Sequence, residues 1–155
     1  MKLLKWGLVC LLALGSVHSQ AHETVQNGMV IHHAWMRQVV MEGMNAGGYF
    51  EIRNGNEQDD RLLAVKADFA KLAELHETRE INGMMEMAPL DSGAVVPAGG
   101  VLMFKPGGMH VMLMGMQRKT TPGEHLPVTL VFEKAGEIQT DMVVQPLSGS
   151  ELTHH

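Results

Sequence analysis

Turn-forming residues cut this chain into short pieces. Between residues 29 and 146 it is interrupted by RNGNEQDD, PAGG, KPGG, TPGE and KAG, and each interruption supplies the Gly, Pro, Asn or Asp that a tight turn needs. The pieces between them are short and show no sustained 3.6-residue periodicity. They read as strands at 29–38, 47–54, 61–67, 73–78, 83–90, 100–105, 109–116, 126–135 and 137–146. Strands at roughly ten-residue spacing, with no internal repeat, predict an all-β domain built as an antiparallel β-sandwich or Greek-key barrel. One stretch competes with this reading: FAKLAELHE has the propensities of a helical turn.

The N-terminal MKLLKWGLVCLLALGSVHSQA has a different logic. Lys2 and Lys5 precede an apolar run from Leu8 to Leu14, and small and polar residues follow. That is the order of a secretory signal peptide, with cleavage expected after Ala21. The run is too short to span a bilayer, so no membrane span is expected in the mature form. Cys10 lies inside the run, without the small residues that precede a lipid-modified cysteine, and is expected to leave with the leader. The expected organisation is a signal peptide at 1–21, one domain at 22–147 and a flexible polar tail at 148–155, located in the periplasm.

A mature chain without cysteine excludes disulfides and thiolate-bound metals. Losing Lys2 and Lys5 takes the formal net charge from −5 to −7. No basic patch is visible, so nucleic acid is not an expected partner. An acidic surface favours cations.

Methionine is the unusual component, at 14 residues. It is an adaptable core filler, and its thioether is also a soft, neutral ligand suited to Cu(I). The stretch GGMHVMLMGM, residues 107–116, poses the choice most sharply. On a strand, alternate side chains share a face, so His110, Met112, Met114 and Met116 are expected to point one way. His110 follows the KPGG turn and is expected at a strand end near the surface. Taken alone, the strand reads more simply as core with one hydrogen-bonded histidine.

A second segment changes the balance. AELHETREINGMMEMAP sets His76 eleven residues before Met87, across a tight turn at NG, and such a hairpin can bring the ends of its strands together. Glu74 and Glu77 flank His76 and could fix its tautomer. His76, Met87, His110 and Met112 together offer two imidazoles and two thioethers with no thiolate, a ligand set for Cu(I). Zinc would call for Cys, His or carboxylate, and a blue-copper site for a Cys thiolate.

The segments ELHE, NGMMEMAPL, VPAGG, FKPGGMHVMLMGM and GEHLPVTLVFEKAG, with IHHAWMR, GGYFEIRN and DDRLLAV upstream, resemble the PCuAC family of periplasmic copper chaperones. The family motif is a His, ten residues, a Met, a longer gap and His-x-Met; His76, Met87, His110 and Met112 fall on it. The resemblance covers about residues 30–145. It implies a cupredoxin-like β-sandwich, a Cu(I) site at those four residues, and a non-enzymatic role supplying copper to the CuA subunit of a respiratory oxidase or to its assembly factor. Met84 and Met85 could compete with Met87 as ligands, although spacing favours Met87. Met109, Met114 and Met116 are expected to shape a rim or core.

The remaining histidines are read separately. His32 and His33 are adjacent on a strand, so they are expected to face opposite ways and not to chelate one ion. His22 would become the N-terminus after cleavage, where its amine and imidazole suit Cu(II). An oxidative enzyme with a histidine brace would need a second histidine that nothing in the sequence identifies. His154 and His155 could join His22 in a weak secondary Cu(II) site, and His125 is expected at the surface.

The expected protein is thus a monomeric carrier with a shallow His2Met2 site that releases Cu(I) by ligand exchange. A copper-sequestration or resistance protein using the same site is the alternative, and a β-sandwich interaction module with only core methionines is a third reading. Imidazole must shed a proton to bind and thioether has none, so Cu(I) affinity is expected to weaken as pH falls towards about 6.5, the ordinary imidazole pKa.

Overall fold

The computed structural model describes residues 22–147. The expected leader and tail, with Cys10, His154 and His155, lie outside the described residues. Eleven strands and no helix are present among the described residues. They are β1 (Glu23–Gln26), β2 (Met29–Arg37), β3 (Ala46–Asn54), β4 (Asp60–Lys66), β5 (Ala70–Ile81) and β6 (Met84–Pro89). The chain continues with β7 (Ala94–Val96), β8 (Val101–Phe104), β9 (Met109–Met116), β10 (His125–Phe132) and β11 (Gly136–Gln145).

The sheet runs β6-β5-β9-β3-β2-β11-β10-β4-β7, with β1 added to β2 and β8 to β3. β4 lies beside β5 and β7 beside β8, so distant parts of this path meet and the sheet folds over a core. The all-β expectation holds. The sheet is mixed, however, because β2 and β11 run parallel, from Val143 opposite Trp35 to Gln145 opposite Arg37. A hairpin turn forces antiparallel pairing, but most of the chain separates β2 from β11 and no turn dictates their direction.

The core follows from two-residue alternation. On β10, Leu126, Val128, Leu130 and Phe132 are buried while the residues between them are not. Phe50 and Phe104 pack with ring centroids 4.7 Å apart, beside Ile31, Ile52, Leu113 and Ile138. FAKLAELHE is strand rather than helix: Ala70 and Leu75 are buried with the core and Ala73 packs against it, while Glu74 and His76 face the other way. Tertiary packing overrides helical propensity here.

Methionine occurs in two settings. Met29, Met36, Met116 and Met142 are fully buried. Met84, Met85 and Met87 are exposed, at 64%, 63% and 61%. Met116 does not share the outer face of β9 with Met112 as expected. Gly115 adopts a φ of 60°, a left-handed conformation that breaks the alternation, and Met116 turns into the core.

A second break lies at His32 and His33. Pairing between β2 and β3 slips here, from His32 opposite Glu51 to Trp35 opposite Tyr49, which inserts one residue as a β-bulge. His33 takes a φ of 49°. Their imidazoles therefore lie together with centroids 3.9 Å apart, not on opposite faces as the sequence led us to expect. His32 Nδ1 is 3.3 Å from Glu23 Oε2, an ion-pair distance without hydrogen-bond alignment.

Candidate metal centre

The centre is built by two pairings of β5. Residues 82 and 83, Asn-Gly, have φ values of 52° and 76°, so the β5–β6 hairpin closes on two left-handed residues, the preferred geometry for a two-residue loop. That turn sets Thr78 opposite Met87 and His76 opposite Pro89. On its other edge, β5 pairs with β9 and sets His76 opposite His110 and Glu74 opposite Met112. Directly opposed residues on neighbouring strands point to the same face. Glu74, His76, Met87, His110 and Met112 consequently share one face, opposite to that of Leu75, Val111 and Leu113, which enter the core.

The two imidazoles face each other across adjacent strands, with centroids 5.8 Å apart and planes at 53°. Each has one nitrogen engaged. The His76 Nε2–H donates to Glu74 Oε2 at 2.8 Å, and the His110 Nδ1–H donates to the Gly108 carbonyl at 3.1 Å. These partners place the proton on the engaged nitrogen and leave a lone pair on the other. Those other nitrogens, His76 Nδ1 and His110 Nε2, are buried with no hydrogen-bond partner. A buried polar atom without a partner is costly, and a metal ion would satisfy both at once.

The surroundings are tighter than expected for His110 and looser for Met87. His110 is at a strand end as expected, but only 5% exposed rather than near the surface. The His76 side chain is 15% exposed. Met112 is half-buried, one diagonal step from His76 on the β9 side. Met87 is one diagonal step away on the β6 side and largely exposed. Diagonal neighbours are within reach of long side chains, so the four candidate residues converge on one patch, with Met87 the outermost. Two imidazoles and two thioethers suit soft, monovalent copper. No cluster of three or more His, Cys, Asp or Glu suited to a metal is present among the described residues.

Glu74 fixes the ring of His76, whereas Glu77 pairs with Arg79 instead. Glu74→Ala is expected to lower Cu(I) affinity by about tenfold, near the low end for such a supporting group because Glu74 is 41% exposed. Glu77→Ala should leave it unchanged. Competition titration of the two variants checks this, and equal losses would mean that Glu74 does not orient the ring.

The fold also places histidines that sequence reasoning left apart. His125 is exposed as expected, and His22 lies beside it, with centroids 4.6 Å apart in an edge-on arrangement. Adjacent to this pair, the Glu124 carboxyl is held below the usual carboxylate range by its hydrogen bond to Arg118 and by the Thr121 amide. No local signal links residues 22 and 125; the contact is purely tertiary. The Gly108 carbonyl was likewise invisible, although the KPGG turn placed it within reach of His110.

Comparison with known proteins agrees with this architecture. A family model described as "Putative lipoprotein LpqE-like" matches residues 29–144. "Putative lipoprotein Lxx21020" of Leifsonia xyli subsp. xyli (strain CTCB07) is 30% identical over 124 residues, 80% of this chain and 74% of its own length. Among solved structures, the copper-bound PCuAC domain from PmoF2 matches with a TM-score of 0.67 at 29% identity, covering 81% of this chain and 98% of that one. The apo PCuAC domain from PmoF1 matches with a TM-score of 0.68 at 30% identity, covering 81% and 99%. These neighbours have a cupredoxin-like β fold.

Proposed function

The chain belongs to the LpqE-like, PCuAC-type family, and from that premise we propose that it is an extracytoplasmic Cu(I) carrier that binds one ion through His76, Met87, His110 and Met112. The observation that carries this reading is the pair of facing imidazoles, each presenting one buried nitrogen with no partner. Copper is the metal that the matching PmoF2 domain holds. The relative from Leifsonia is named as a lipoprotein, which suits an extracytoplasmic carrier.

The site supports transfer rather than catalysis. His76 and His110 hold the ion from rigid, paired strands, while Met87 approaches from an exposed strand, on the side from which an incoming donor arrives. With four neutral ligands the charge of the ion stays uncompensated, which keeps binding weaker than a thiolate site would make it. Delivery to the CuA subunit of an oxidase, or to its assembly factor, is the proposed destination. Sequestration without delivery is the competing reading. A secondary Cu(II) site fits His22 with His125, since cleavage before His22 would add an amine to two adjacent imidazoles.

Incubating the Cu(I)-loaded protein with a soluble apo CuA domain, then separating the two, tests the destination. Copper should appear on the acceptor. Retention on the carrier, with more than one ion bound per chain, would favour sequestration.

A further inference from the structure

The four proposed ligands leave part of the β5–β6 hairpin unexplained. β9 starts at Met109, opposite Glu77, and the Thr78 amide still donates to the Gly108 carbonyl, so Arg79–Ile81 and the strand facing them project beyond it as a two-stranded arm. Neither face of such an arm has a layer to pack on. Yet it carries Met84, Met85 and Met87, all more than 60% exposed, and Ile81 at 42%. The chain buries methionine completely where it wants core, at Met29, Met36, Met116 and Met142. Exposed thioethers gain nothing from burial and are open to oxidation.

Register separates the three. Met85 lies opposite Glu80 and Met87 opposite Thr78, on the face that carries His76 and His110. Met84 lies opposite Ile81, on the other face. Met85 and Met87 are two residues apart on one strand, about 7 Å along the backbone, and each thioether swings on three rotatable bonds. Both can reach a single ion.

We propose that Met85 and Met87 form a second, outer position for Cu(I), at which the ion rests between the partner and the His76–His110 centre. This rests on the copper-carrier reading above. Two neutral sulfurs select a soft monovalent ion and hold it without proton release, so the hold at this outer position is insensitive to pH where that of the imidazole centre is not. The exchange is redox-neutral. The bond to Met85 forms as those to Met112 and then to the two histidines break, the freed imidazoles regain water or a proton, Met87 stays bound throughout, and copper remains Cu(I).

Two readouts on the full mature chain test this. Ag(I), a redox-inert soft monovalent ion, is titrated while the methionine methyl groups are followed by NMR. Binding should shift the Met85 methyl together with that of Met87 and leave that of Met84 in place. In stopped-flow removal of Cu(I) by a chromophoric chelator, Met85→Ala should slow release and uptake alike, each by about fivefold, at unchanged equilibrium affinity, because a resting position on the path changes rates in both directions equally. Met84→Ala should match the unaltered chain. Both positions are exposed, so neither variant threatens folding. Equal behaviour of the Met84 and Met85 variants, fast or slow, would overturn the proposal while leaving the four-ligand site standing. Failure of the unaltered chain to bind any Cu(I) would instead remove that site, and the outer position with it.

Discussion

Replacing His110 and Met112 together by alanine is expected to abolish tight Cu(I) binding. The unaltered mature protein should take up one tight equivalent in an anaerobic titration against a chromophoric competitor. The variant should lose at least about a hundredfold in affinity, more than supporting groups around a metal typically contribute. His110 stands directly opposite His76 in the β5–β9 ladder, so its removal takes away one of two facing donors. Met112 removes the sulfur on the same strand. Met112 lies outside the core, which β9 enters through Val111, Leu113 and Met116, whereas His110 is buried and its loss costs some packing; thermal unfolding of the variant should nevertheless show the fold retained. If the unaltered protein shows no tight equivalent, the methionines of β9 serve packing alone and the carrier reading is lost.

The second large effect concerns stability. Phe50 is 2% exposed and stacks on Phe104, also 2% exposed. β3, which carries Phe50, pairs with β2, β8 and β9, so a cavity here opens at the junction of four strands. Phe50→Ala is expected to cost about 3–5 kcal/mol, a large share of the roughly 5–15 kcal/mol that holds a domain folded. The melting temperature should fall by roughly 10–20 °C for a domain of this size. Phe50→Leu, which refills most of the volume, should cost less than about 1.5 kcal/mol. Urea denaturation checks both. A loss for Phe50→Ala no greater than that for Phe50→Leu would show that the aromatic pair is not the centre of the core.

Much of this architecture is legible in the residues because turns and alternation are local properties. The Asn-Gly at 82 and 83 marks a two-residue hairpin wherever it falls between apolar runs, and the alternation of β10 declares its inner face without help from the rest of the chain. The four candidate ligands stand out because His-x-Met needs only the two-residue period of a strand. What escapes is register and tertiary contact. No glycine at position 33 announces a bulge, so His32 and His33 read as diverging when their rings in fact lie side by side at a steep tilt. Gly115 in a strand is a recognised signal for such a break, and reading it would have moved Met116 into the core. That His110 is buried depends on how neighbouring segments cover a strand end, and the meeting of His22 with His125 depends on the whole sheet.

The parallel pairing of β2 with β11 has a consequence for how the molecule is made. β2 sits mid-sheet, flanked by the third strand in chain order and by the last. Until residues 143–145 exist, Trp35, Met36 and Arg37 have no partner on that side, and Ile138, Met142 and Val144 are missing from the core. Contacts between such distant residues make folding slow relative to local structures. A growing chain of this design remains open until its synthesis is nearly complete.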